Sequence, residues 1–399
     1  MLLSIALILI IGMSLGWLCK KIKLPSLVGM ILTGILLGPS VLKLIDPSIL
    51  DISSELRRIA LIIILTRAGL TLKWSDLKKV GRPAILMCFV PAAFEIVGMI
   101  IFAPLILNVS VIEAAIIGAV VAAVSPAVIV PKMIKLIDEG YGKDHSIPQL
   151  ILAGASVDDV FVIVLFTAFL GLGQGKEVSI LSFVNIPISI VLGILIGFLI
   201  GFLLAKFFAK VHMRDTVKVI IILSIAFILN SIEDKLTTVI TFSALIAIMF
   251  MGIAMQQYHK EASTRLSLKF NKLWVGAEII LFVLVGATID LKFVSTTALP
   301  AILLILLVLC FRIIGVFICL ICTKLTFKEK VFCMISYIPK ATVQAAIGGI
   351  PLSLGLECGN IVLTVAVMAI LITAPLGAFL IDLTYKKFLN RVSLENSNE

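Results

Sequence analysis

Long, unbroken apolar runs recur along this whole chain, as at residues 2–18, 180–205 and 297–323. A run of about 20 such residues crosses the hydrocarbon core of a bilayer as one helix. In lipid only helices and closed barrels satisfy their own backbone polar groups. A barrel would show alternation of period two in stretches of about ten residues, and these runs show none. The expected fold class is therefore an all-α polytopic membrane protein. Composition agrees, with 61% apolar and only 14% charged residues, against about 45–50% and about 25% in soluble domains. A soluble globule would have a surface made mostly of hydrocarbon, and a disordered chain is excluded by the same figures.

Thirteen spans are expected, at 2–18, 26–44, 55–72, 80–106, 111–131, 148–171, 180–205, 216–232, 236–255, 274–290, 297–323, 330–354 and 360–385. The net charge of +10 has a simple reading once the basic residues are assigned to loops. Of the 33 Lys and Arg, 24 follow odd-numbered spans. Six follow even-numbered spans or open the next one (Lys43, Arg57, Arg58, Lys176, Lys235, Lys292), and Arg67, Arg312 and Lys340 lie within spans. Positive charge marks the cytoplasmic side, so the N-terminus is expected outside and the C-terminus inside. The apolar stretch 2–18 is followed by Lys20, Lys21 and Lys23 rather than preceded by basic residues, as a retained first span would be. Loops 132–147 and 256–273 are too short for an independent core. No Walker motif is present to drive primary transport. The seven cysteines lie mostly in apolar segments and suggest neither a disulfide framework nor a zinc site. His145, His212 and His259 read as solvated loop residues.

Two spans are both polar and interrupted by proline. The fifth reads AAVSPAVIVPKM, with Pro126 and Pro131, and the twelfth reads SYIPKATVQAAIGG, with Pro339 beside Lys340, Thr342 and Gln344. Their offset of seven spans is odd, so the two cross in opposite directions. Matched helix breaks in inverted halves point to a secondary-transporter site. The same offset pairs the span of Glu95 with that of Arg312, and the span of Asp158 and Asp159 with that of Pro375. Each break frees carbonyls that lipid cannot satisfy. Two breaks meeting at mid-depth are expected to need an ion or water.

Asp158 and Asp159 lie in the middle of an apolar span, LAGASVDDVFVIVL. A charge at the bilayer centre costs about 2.5–3.5 kcal/mol. Desolvation and mutual repulsion both disfavour a doubly ionised pair, so the pair is expected to take up protons or a small hard cation in competition. Neighbours on a helix point about 100° apart, so one aspartate can hold the ion while the other faces a base. Glu95 and Arg312 suggest an internal ion pair that joins two spans, with tuning of the aspartates as its functional version. Lys340 either pairs with Asp158 or compensates the carbonyls of its break. Ser125 and Thr342 either donate oxygens to a cation or bond their own backbone. Arg67 reads as snorkelling, and Glu113, Glu278 and Asp290 as interfacial, with a cytoplasmic pH-sensing group as the alternative for Glu278.

The segments ILTRAGL (64–70), AVSPAVIVPKM (123–133), GASVDDV (154–160), YIPKATVQAAIG (337–348) and ITAPLG (372–377), with Arg312 in FRIIG, carry a resemblance. The chain resembles sodium/proton antiporters of the second cation:proton antiporter family, in the branch shared by bacteria and the mammalian mitochondrial and sperm-type exchangers. The resemblance implies 13 spans in two inverted repeats with crossing discontinuous helices. It implies a homodimer, with a dimerisation scaffold of 1–79 and 180–290, a transporting core of 80–179 and 297–385, and a short tail at 386–399. It implies Asp159 as the main cation and proton carrier beside Asp158, and a role in pH homeostasis. In bacterial relatives a lysine on the eleventh span pairs with the first aspartate. Here Arg312 stands in that region, which leaves Lys340 as the lysine expected to reach Asp158.

The function expected is antiport of Na⁺ or Li⁺ against H⁺ at the plasma membrane, with no cofactor, no enzymatic activity and no nucleic-acid partner. The alternatives are a K⁺/H⁺ antiporter or K⁺ efflux protein, and a Na⁺-coupled solute symporter. An intramembrane aspartyl protease needs two acids facing each other from separate helices, which adjacent Asp158 and Asp159 do not provide.

Overall fold

A computed structural model describes residues 1–71, 81–174, 180–235 and 242–391. Lys73, Lys78, Lys79, Lys176, the start of the ninth span and residues 392–399 of the tail lie outside the described residues. All regular elements among the described residues are helices. Among the described residues, eight helical stretches are long and apolar enough to cross a membrane, and three shorter ones are also apolar.

In chain order the first helices are α1 (Leu2–Lys21), α2 (Ser26–Leu37), α3 (Pro47–Asp51) and α4 (Ser53–Thr71). Helix α2 stops short of residue 44. Gly38 precedes Pro39 and is extended (ψ 178°), because a residue before proline is pushed out of the helical region. The expected fourth span divides into α5 (Arg82–Met87) and α6 (Val90–Leu107). Pro91 stands in the first turn of α6, where a missing amide costs nothing. Then follow α7 (Val111–Ala122), α8 (Pro126–Glu139), α9 (Ile147–Gly173), α10 (Ile180–Lys210), α11 (Asp215–Lys235), α12 (Ala244–Tyr258), α13 (Lys260–Ala287) and α14 (Leu291–Cys319). The chain ends with α15 (Phe327–Ser336), α16 (Thr342–Ile347), α17 (Ile350–Ser353) and α18 (Gly359–Phe388).

The chain divides into two compact units. The first comprises Met1–Asp51, Ser75–Val162 and Phe282–Glu399. In it α1 packs on α2, α6 lies between α14 and α7, and α18 packs on α14, α15 and α7. The face of α7 is small and apolar (Ala114, Ala115, Gly118, Ala119, Ala122), and every residue from Ala114 to Ala122 is buried. This helix is therefore the centre of the first unit.

The second unit comprises Ile52–Trp74 and Ile163–Leu281. Helices α4, α10 and α11 pack on α12. Glycines at 193, 197 and 201 put one bare stripe on α10. A side-chain carbon on Gly197 would collide with the Ala247 carbonyl of α12. Close approach through small residues is how helices associate in lipid, where no hydrophobic force separates helix from solvent.

Candidate ion site

Between α7 and α8 the chain is extended from Ala123 to Ser125, and Pro126 then opens α8. Between α15 and α16 it is irregular from Ile338 to Ala341. The two breaks touch: the Ser125 amide donates to the Pro339 carbonyl at 2.8 Å. The freed carbonyls of the first break do not require an ion or water, contrary to the expectation above, because side chains reach them. Lys340 Nζ donates to Val121 O at 2.7 Å, Arg312 Nη1 donates to Ala122 O, and Gln344 Nε2 donates to Ala123 O at 2.8 Å and Val121 O at 3.1 Å.

Arg312 projects from α14 and is buried, and four of the five donors of its planar fork find acceptors. Its Nη1 donates to Glu95 Oε2 at 2.8 Å, its Nη2 to Asp158 Oδ2 at 3.0 Å, and its Nε to the Tyr337 carbonyl at 2.7 Å. The Tyr337 ring also lies 5.5 Å from the guanidinium. The expected Glu95–Arg312 pair is present. The expected Lys340–Asp158 pair is not: Lys340 Nζ donates to Glu95 Oε2 at 2.7 Å instead. The reason is geometric. Asp158 Oδ2 accepts from Arg312 and from the Val124 amide at 2.8 Å, and the place of Lys340 in the second break puts its Nζ between Glu95 Oε2 and Val121 O, each 2.7 Å away. Lys340 also compensates carbonyls, but those of the opposite break rather than its own.

Asp159 lies beside this network and has no ion pair among the described residues. Its Oδ1 is buried without a hydrogen-bond partner, as are Asp158 Oδ1, Ser125 Oγ and Thr342 Oγ1. Neither hydroxyl bonds its own backbone, the alternative that the sequence left open. Oxygens of this kind suit a small hard cation or protons. The full cluster holds three carboxylates (Glu95, Asp158, Asp159) and two cations (Arg312, Lys340), all buried. With every group ionised, one negative charge is left over.

Pro131 and Pro375 lie inside α8 and α18, which continue through them. In the second unit Arg67 and Glu278 are both half-buried, and their charges are close enough to interact. Gln344 is the functional side chain that the sequence reading left without a role. Its signal was an amide three residues past Ala341, in the first turn of the helix that follows the break.

Interrupted helices that meet beside buried acids in an all-helical membrane fold define a secondary transporter. The family model described as sodium/hydrogen exchanger, transmembrane, matches residues 5–387. Human sodium/hydrogen exchanger 9B2 is 30% identical over 392 residues, covering 94% of this chain and 72% of that protein. Mouse sodium/hydrogen exchanger 9B1 is 33% identical over 386 residues, covering 92% and 66%. In fold, the chain is similar to the sodium proton antiporter MjNhaP1 from Methanocaldococcus jannaschii, with a TM-score of 0.84 at 22% identity over 96% of this chain and 97% of that one. The chain belongs to the sodium/hydrogen exchanger family. It is a membrane protein of a transporter family, and its relatives include the mammalian exchangers that its motifs implied.

Proposed function

We propose that this chain exchanges Na⁺ or Li⁺ for H⁺ by alternating access at Asp159, with Asp158, Ser125 and Thr342 supplying further oxygens. The observation that carries the reading is the charge imbalance of the buried cluster. Arg312 and Lys340 are committed to Glu95 and Asp158, so Asp159 is the acid left to be neutralised by the transported ion. One proton or one monovalent cation completes the balance, and the two compete. The site crosses the membrane loaded with either and is held back when bare, because a bare charge in hydrocarbon is costly. Glu95, Arg312 and Lys340 hold the two breaks together throughout and carry no ion. No cofactor enters the cycle.

In this reading the chain has 13 spans in two inverted repeats, related by the breaks at Pro126 and Pro339. A core of 80–179 and 297–385 moves against a scaffold of 1–79 and 180–290 in a homodimer. The N-terminus is outside a plasma membrane and the C-terminus inside. Contact between the breaks through Ser125 and Pro339 supports the crossing of the repeats.

The test uses the purified chain in liposomes with an internal pH dye. Na⁺, Li⁺ and K⁺ are added in turn under a clamped membrane potential. Na⁺ and Li⁺ are expected to move protons and K⁺ is not; a K⁺ response of equal size would replace the reading with K⁺/H⁺ antiport. Exchange of one proton for one cation moves no net charge. A potential of 100 mV, worth about 2.3 kcal/mol per charge moved, is then expected to leave the end-point unchanged.

A further inference from the structure

A second cluster of charge lies in the second unit, where α11 and α13 both begin. A cavity of about 310 Å³ is lined there by His212, Asp215, Lys218, His259 and Arg265, with Phe208 on its apolar side. Its size is at the lower end of small-ligand pockets, about 300–1,000 Å³. Two permanent cations and two imidazoles share this wall with a single carboxylate.

Lys218 is the telling residue. Its side chain is only 6% exposed, and the nearest described carboxylate oxygen, Asp215 Oδ1, is 3.8 Å from Nζ, beyond hydrogen-bond reach. The ring of Phe208 lies 5.5 Å away and offers only its face. An ammonium has three donors, and that of Lys218, which lines the cavity, has them to give to a ligand there. Arg265 gives its Nε to Asp215 Oδ2 at 3.1 Å and lines the cavity, so its two terminal nitrogens remain as donors. Asp215 is thus divided between two cations and fully satisfies neither. Asp215 is the first residue of α11, and His259 immediately precedes α13. The positive dipole ends of both helices add to the field there. Two permanent cations against one carboxylate disfavour a cation there. The lining favours an anion, and guanidinium and ammonium groups are suited to phosphate.

We propose that this cavity is an anion site that takes a phosphate group through Lys218, Arg265, His212 and His259. The phosphate comes either as free inorganic phosphate or as the headgroup of a phosphomonoester lipid, and the chemistry of recognition is the same. The experiment uses the full chain, purified in detergent and in phosphatidylcholine vesicles with and without phosphatidic acid. Binding of radiolabelled inorganic phosphate and the melting temperature are read for the wild type, Arg265→Gln and His259→Gln. Arg265 is about half exposed, so its replacement leaves the fold intact. Phosphate is expected to bind and to raise the melting temperature above that in chloride of equal ionic strength. Arg265→Gln is expected to weaken that binding by about tenfold. If inorganic phosphate fails but phosphatidic acid stabilises the wild type and not Arg265→Gln, the lipid headgroup is the source and the site stands. If neither stabilises the wild type, or if both variants respond as it does, the proposal is overturned.

Discussion

Arg312 Nη2 lies 3.0 Å from Asp158 Oδ2, on the oxygen that also accepts the Val124 amide. The arginine of α14 therefore ties the acid of α9 to the break after α7. Two neighbouring aspartates are made unlike by this one contact. Asp158 is an anchor, and Asp159 is left without a cation among the described residues.

Replacing each aspartate by asparagine should separate the two roles. Asp159→Asn removes a buried charge that has no base beside it, so the melting temperature in detergent is expected to stay at or above that of the wild type. Proton movement in liposomes should nevertheless disappear. Asp158→Asn strips Arg312 of one of two carboxylates, and removing one partner of a buried pair costs about 3–5 kcal/mol. Glu95 remains to hold Arg312, so the loss should lie at the lower end. Equal melting of the two variants would contradict the division.

Arg312 also serves the Glu95 carboxylate and two carbonyls, Ala122 and Tyr337. An ammonium cannot reach four acceptors that diverge from a planar fork. Arg312→Lys is expected to destabilise the protein by about 3–5 kcal/mol, despite keeping the charge. Calorimetry in detergent, compared with Glu95→Gln, provides the check. Glu95→Gln should cost less, because its amide oxygen still accepts from Arg312 and Lys340.

Gly154 lies one turn before Asp158 on α9, under Tyr337. A side-chain carbon there would collide with the Tyr337 hydroxyl and stand 2.9 Å from Met87 Cβ. Tyr337 is buried and its backbone holds Arg312, so the ring has little room to give. Overpacking of a buried site costs about 1–3 kcal/mol. Gly154→Ala is expected to lower the melting temperature by that equivalent and to slow exchange, whereas a surface change such as Glu357→Gln should do neither.

Outside the spans, the Glu329 carboxylate caps α15. It accepts from the Thr326 amide at 2.7 Å and lies 3.0 Å from His145 Nδ1. Burial pushes its carboxyl up, but the hydrogen bonds from His145 and Thr326 outweigh that and hold it below the usual glutamate value. A group depressed in the folded state stabilises fully above its unfolded pKa and loses that contribution as pH falls through the folded one. Melting of Glu329→Gln is therefore expected to be lower than wild type near neutrality, with the gap closing on acidification below about pH 4. A gap that stays constant with pH would show that the charge of Glu329 is not what stabilises the cap.

Much of this molecule was legible in one sequence. Apolar runs that exclude water from the backbone force helices, and proline at 126 and 339 forces the breaks within them. Acids placed in hydrocarbon need a reason, so Asp158, Asp159, Glu95 and Arg312 could be singled out without any coordinates. Those are local facts: each follows from what a residue type costs in its own stretch of chain. Which acid takes which base is a matter of distance between helices far apart in sequence, and only the tertiary structure decided it. Lys340 was left between Asp158 and the carbonyls of its own break and lies on Glu95; Gln344 had no assigned task and closes the carbonyls of a helix more than 200 positions away. A pairing preference is set by the last ångström of approach, and no spacing along one chain encodes that distance.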